Sequence, residues 1–184
     1  MSVFYIMRNW TERVTKGARF IDSDHAYIHE GYMFTAYTKQ EIASSGVYKI
    51  TFETPASATG KYIHWRPEFV STSGDSVDIK VYEGSSGDSG GSDFTPINRN
   101  RLSSETSLST VTLGATVTTN GTQIDQTFVG GGTGVGNTTQ GSESGDKNEI
   151  MLKQGTLYTL EITNGSDSAN NIFVKLLWYE ENDA

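Results

Sequence analysis

The side chains with the clearest chemical potential are three histidines, two closely spaced arginines and a handful of carboxylates. Asp22, Asp24, His25, His29 and Glu30 lie close together. Imidazole nitrogens and carboxylates are ligands for divalent metals, so this group could hold an ion. On a helix, residues four apart share a face. On a strand they lie about two pleats apart. The Tyr- and Thr-rich residues that follow His29 argue for a strand, and the group reads as a polar loop entering it, with no metal or other cofactor expected. His64 sits in Tyr62-Ile63-His64-Trp65-Arg66, where a sheet-face histidine beside aromatics reads as structure rather than as a base.

Pro96-Ile97-Asn98-Arg99-Asn100-Arg101 is the most pointed local pattern. On an extended segment Arg99 and Arg101 would point the same way. Guanidinium groups suit bidentate pairing with carboxylates across an interface. The alternative is a surface pair balancing Asp93 and Glu105.

Other chemistries lack their residues. The chain has no cysteine, hence no disulfide, zinc thiolate or thiol nucleophile. No serine lies in a G-x-S-x-G elbow. Gly130–Gly136 lacks the lysine of a phosphate loop. Asp75, Asp88, Asp93 and Asp125 do not match a calcium loop. The Asn-x-Ser/Thr triplets at Asn9, Asn120, Asn137 and Asn164 read as products of Asn/Thr-rich turns. A β-sandwich hydrolase working through a carboxylate pair is one class to weigh, but no pair is indicated. The expectation is a protein that is not an enzyme.

The elements that must position these residues read as β. With 184 residues a single domain is expected. Hydrophobic residues make up 35% of the chain and aromatics 11%, gathered in short runs between polar turns, which points to an ordered core with long polar loops. The formal net charge of −8 disfavours binding to phosphate backbones. No stretch approaches the length of a membrane span, and Val3–Met7 is too short and wrongly flanked for a signal peptide. The chain is therefore expected to be made in a cytoplasm, with no nucleic-acid or membrane partner.

Tyr48, Ile50 and Phe52 alternate with Lys49, Thr51 and Glu53, and Val77, Ile79 and Val81 alternate with Asp78, Lys80 and Tyr82. That is the period of a half-buried strand. Further strands are expected over Tyr27–Tyr37, Lys61–Val70 (with Pro67 at an edge or bulge), Phe94–Ile97, Val111–Thr119, Gln123–Val129, Ile150–Leu152, Thr156–Thr163 and Asn171–Tyr179. Asn120-Gly121 predicts a hairpin joining the two strands around it. Residues 84–93 and 130–146 are Gly/Ser-rich and predict flexible surface loops with no part in the core. No helical period is long enough for a stable helix.

Nine or ten short strands predict an all-β fold, a two-sheet antiparallel β-sandwich of jelly-roll type. An immunoglobulin-like sandwich is the alternative. The division expected is an N-terminal arm or edge segment over 1–25 and a sandwich domain over 26–184. The last strand is apolar on both faces: Ile172, Val174, Leu176 and Trp178 on one, Phe173, Leu177 and Tyr179 on the other. Such a strand needs cover on both sides, from the N-terminal segment or from another subunit. Phe4, Tyr5, Trp10, Arg99, Arg101, Phe173, Leu177 and Tyr179 are the expected interface residues.

Two stretches carry a family resemblance. TPINRNRLSSETSLSTVTLGATVTTNGT (95–122) and QGTLYTLEITNGSDSANNIFVKLLWYEE (154–181) resemble segments of small structural proteins of tailed bacteriophages. Together they cover less than a third of the chain, and residues 1–25 carry no such resemblance. The resemblance implies a virion component on the capsid surface, a decoration or cement protein. Its partners would be the major capsid protein and its own copies, as a homotrimer. The alternative is a receptor- or carbohydrate-binding module of a tail, neck or fibre, with Tyr62, Trp65 and Tyr82 as candidate sugar-stacking residues.

Overall fold

A computed structural model describes residues 23–71, 76–129, 139–140 and 149–182. Two antiparallel sheets pack face to face. The first runs in the order β10 (Ile150–Leu152), β3 (Lys61–Ser71), β12 (Asn170–Asn182), β1 (Met33–Ile42), β6 (Ile97–Asn98), with β9 (Thr139–Gln140) also against β3. The second runs β5 (Ser92–Phe94), β7 (Thr110–Leu113), β2 (Val47–Glu53), β11 (Leu157–Asn164), β4 (Val77–Glu83), β8 (Thr122–Val129).

The pairings are nested. β1 pairs with β12, β2 with β11, β3 with β10, and β4 with β8. Along the chain the strands of these nested pairs alternate between the sheets, β1 to β4 on the way in and β8, β10, β11 and β12 on the way out, so one long hairpin has rolled up on itself. This is the jelly-roll connection. Between β4 and β8 the roll is interrupted by residues 84–121, which carry β5, β6 and β7. That excursion adds β6 beside β1 and β7 beside β2. It covers one open side of the sandwich, where unpaired strand edges would otherwise invite association.

The alternating strands build the core as their pattern requires. Ile50, Phe52, Val77, Ile79, Val81, Ile172, Val174, Leu176 and Trp178 are all buried. Phe52 lies between two tryptophans, its ring centre 5.9 Å from Trp65 and 5.2 Å from Trp178. Pro67 pairs with Leu176 on one flank. On its other flank, among the described residues, β10 pairs as far as Trp65 and β9 from Val70, and the proline, which has no N–H to give, has no ladder partner there.

Three expectations are corrected. First, His25 and His29 are not on a strand: Ser23–Glu30 is a helix, α1. Its stability comes from packing rather than from a long amphipathic period. Tyr27 and Ile28 press against Met33, Leu177 and Tyr179. Gly31, at φ +81°, ends the helix, with Gly31 N–H bonding Ile28 C=O and Tyr32 N–H bonding Tyr27 C=O, the Schellman pattern that favours glycine. The boundary expected between 25 and 26 falls inside this helix, and the helix supplies part of the second cover over the last strand.

Second, Asn120-Gly121 does not join two neighbouring strands. The turn is real, with Gly121 at φ +83°, but β7 and β8 lie far apart in their sheet with β2, β11 and β4 between them. Turn chemistry reports a reversal and not which strand precedes it.

Third, the segment 84–93 is tied down. Ser86 and Ser89 form antiparallel bridges to Thr119 and Thr116, Ser85 is buried with its hydroxyl on Asn120 C=O at 2.6 Å, and Phe94 packs against the core. Its glycines supply the positive φ of an ordered excursion, which composition cannot distinguish from a flexible one. The expected loop over 130–146 lies outside the described residues except for Thr139 and Gln140.

Charge pairs on the second sheet give the fold an acid limit. Lys153 holds the Glu83 carboxyl below its ordinary value, outweighing burial. Burial pushes Glu161 up, but hydrogen bonds from Asn120 and Lys49 and the nearby lysine charges hold it low overall. A carboxylate depressed in the folded state adds stability that is fully present above its unfolded value and is lost as pH falls through the folded one. Melting temperature should therefore be flat near neutrality and fall below about pH 4.5, and Glu161→Gln should shallow that fall. A melting temperature that rises on acidification would contradict these pairings.

Candidate interaction surface

The excursion between β4 and β8 displays the arginines. β6 pairs with β1 (Asn98 opposite Phe34, Ile97 opposite Thr35), and Arg99 N–H bonds Met33 C=O at 2.8 Å. The chain then turns, and the two asparagines of Asn-Arg-Asn-Arg face inward to hold the turn. Asn98, 8% exposed, donates from its amide to Gly31 C=O at 2.8 Å and Glu105 C=O at 2.9 Å. Its carbonyl accepts Asn100 N–H at 2.8 Å. Asn100 repeats the motif, accepting Leu102 N–H at 3.0 Å and donating to His29 C=O at 3.0 Å. These are side-chain-to-backbone turns of the kind Asn favours.

The residues between and after the asparagines are left outside. Arg99 and Arg101 are exposed, and Leu102 is 98% exposed. The segment turns rather than extends. Among the described residues neither arginine pairs with a carboxylate. Asp93 instead accepts from Thr112, so the expected balancing pair with Asp93 is not made.

A buried carboxylate fixes the far end of the same excursion. Glu180 on β12 is 2% exposed. Its oxygens accept Ser107 Oγ at 2.7 Å, Leu108 N–H at 3.1 Å, Ser109 N–H at 3.3 Å and the Trp178 indole N–H at 3.2 Å. A buried charge is tolerable when it is surrounded by donors. Here it staples residues 107–109 to the core, so the arginine turn stands on a rigid base at both ends.

The outer face of the first sheet holds a second polar group. His64 Nδ1 meets Glu149 at 2.7 Å and its Nε2 meets Glu181 at 3.4 Å. The Tyr179 hydroxyl donates to Glu149 at 2.7 Å, and Arg66 lies 3.8 Å from the same carboxylate. Tyr179 stacks on His64 and on Tyr27 of α1. Burial, then Glu149, drives the Tyr179 phenol up, so it stays a donor. The imidazole is engaged at both nitrogens, and the group works as a brace between β3, β12 and the approach to β10.

The other expected interface residues divide. Leu177 and Tyr179 lie under α1 at 9% and 7% exposure, so that end of the last strand is covered by its own chain. Phe173 sits on the outer face beside Tyr37, ring centres 6.4 Å apart, and Tyr37 meets Phe94 edge-on at 5.7 Å. Phe4, Tyr5 and Trp10 lie outside the described residues. Of the candidate sugar-stacking residues, Trp65 is fully buried in the core and cannot stack on a ligand, while Tyr62 and Tyr82 are half-buried.

No known protein family, curated protein or solved structure matches this chain.

Sequence reasoning missed Leu102 and Tyr37. Nothing in the composition around Leu102 marks it as exposed. The asparagine on each side of Arg99 was the available signal, because alternating Asn predicts a turn in which the intervening residues face out.

Proposed function

We propose that this protein is a non-enzymatic structural component of a tailed-bacteriophage virion. It binds the outer surface of the capsid as a decoration or cement protein, with the major capsid protein and its own copies, as a trimer, for partners. The observation that supports this reading best is the braced turn presenting Arg99, Arg101 and a fully exposed Leu102. That turn lies in the first of the two stretches that resemble phage structural proteins. Two guanidinium groups that are unpaired among the described residues, beside an apolar tip, suit an acidic, partly apolar partner surface, and rigidity lowers the entropic cost of docking.

The mechanism is linkage. A ligand that binds only the assembled shell stabilises the shell by its binding free energy. Purified protein added to heads lacking it should co-sediment with them and raise the temperature at which they open. Heads that neither retain the protein nor change in stability would overturn the reading. A second reading, a carbohydrate- or receptor-binding module, draws on Tyr37, which is 49% exposed beside Phe173. Binding to a glycan surface without binding to heads would favour it.

A further inference from the structure

We propose that His25 and His29 form a two-nitrogen chelate for a divalent ion late in the first transition series, Ni²⁺ or Cu²⁺. The proposal is independent of the virion reading.

The helix sets the geometry. Residues four apart meet on one face, and here the two Nε2 atoms face each other at 2.9 Å, with ring centres 4.5 Å apart and the rings tilted by 55°. Two imidazole nitrogens bound at about 2.0–2.1 Å to one ion are separated by about 2.9 Å when they subtend a right angle. At a tetrahedral angle they would stand about 3.3 Å apart. The observed gap is that of an N–H···N hydrogen bond in the free protein, and it equals the bite of adjacent positions in a square or octahedral sphere, the geometry that nitrogen ligands give Cu²⁺ and Ni²⁺. Affinity along the series points to the same ions.

The protonation state also fits. Two Nε2–H groups facing each other would repel, so the contact requires one ring to present a lone pair and the other a proton. An incoming ion takes both nitrogens as lone-pair donors. It loses two bound waters, and the ring that carried the shared proton gives it up at Nε2 and takes one back from solvent at its own Nδ1, so both rings stay neutral. No oxidant or other reactant is needed.

The site is held rather than merely exposed. Both histidines are on the solvent side of α1, while Tyr27 and Ile28 fasten its other side to the sheet. His29 C=O is held by the Asn100 amide, and the Schellman turn at Gly31 fixes the C-terminal end. Little ordering is left to be done on binding. Among the described residues no third histidine or carboxylate joins the pair, which leaves the remaining coordination positions to water.

The test is titration of the untagged full-length protein with Ni²⁺ or Cu²⁺ by calorimetry, with circular dichroism of each variant to confirm the fold. One ion per chain is expected at this site. His25→Asn and His29→Asn each should weaken binding by at least the roughly tenfold loss that removing even an outer-shell partner of a metal brings. Both substitutions are at exposed positions and should leave melting unchanged. For Cu²⁺, electron paramagnetic resonance should show two equivalent nitrogen couplings, reduced to one in either variant. Binding that survives in the double variant, or no binding by the natural chain, would overturn the proposal.

Discussion

A protein carrying Arg99→Glu and Arg101→Glu should melt where the natural protein melts and fail to bind phage heads. Both side chains are exposed and unpaired among the described residues, and surface substitutions of this kind change stability by no more than about 0.5 kcal/mol. The turn itself depends on Asn98 and Asn100, which are untouched. At an interface, loss of one partner of a desolvated charge pair costs about 2–5 kcal/mol, and reversal adds repulsion. Head affinity should therefore drop by more than about a hundredfold. A co-sedimentation assay, run beside a thermal melt, measures both. Unchanged head binding would remove this turn from the interface, and a collapsed melt would show that the arginines are structural.

The second large effect belongs to Glu180. Glu180→Ala removes the acceptor shared by Ser107, Leu108, Ser109 and the Trp178 indole and leaves buried donors without a partner. Each such group costs about 1–3 kcal/mol, and partial entry of water offsets some of the sum, so a loss of about 3 kcal/mol is expected. For a chain of this size that corresponds to a fall of roughly 6–12 °C in melting temperature. Glu180→Gln keeps one oxygen but turns an amino group toward the Leu108 N–H, and should cost about half as much. Differential scanning calorimetry decides it. A shift under about 2 °C for the alanine variant would mean that residues 107–109 do not depend on this anchor.

The two sheets were legible wherever one face of a strand meets water. β2 and β4 show the alternation because Lys49, Glu53, Asp78 and Lys80 mark their wet sides. The nested order that makes the roll was not legible, because pairing partners are set by contacts between residues far apart in the chain. β1 finds β12 across most of the chain's length, and no local signal records that. The same limit misplaced Asn120-Gly121. Helix α1 was missed for a different reason. It is short, its inward face is only Tyr27 and Ile28, and it forms because Leu177 and Tyr179 wait beneath it. At the candidate surface, Arg99 and Arg101 stood out by charge in an acidic chain. Glu180 did not, because a glutamate among Glu180-Glu181-Asn182 near the chain end reads as solvated until Trp178 and the Ser107–Ser109 turn are seen around it.

Under the proposed virion role, the most direct test is cryo-electron microscopy of virions produced from a phage genome that carries this sequence. A decoration protein should appear as this jelly roll on the outside of the head, in threes, with Arg99, Arg101 and Leu102 against the major capsid protein. Density for the fold on the tail or a fibre, or its absence from the virion, would contradict the proposal.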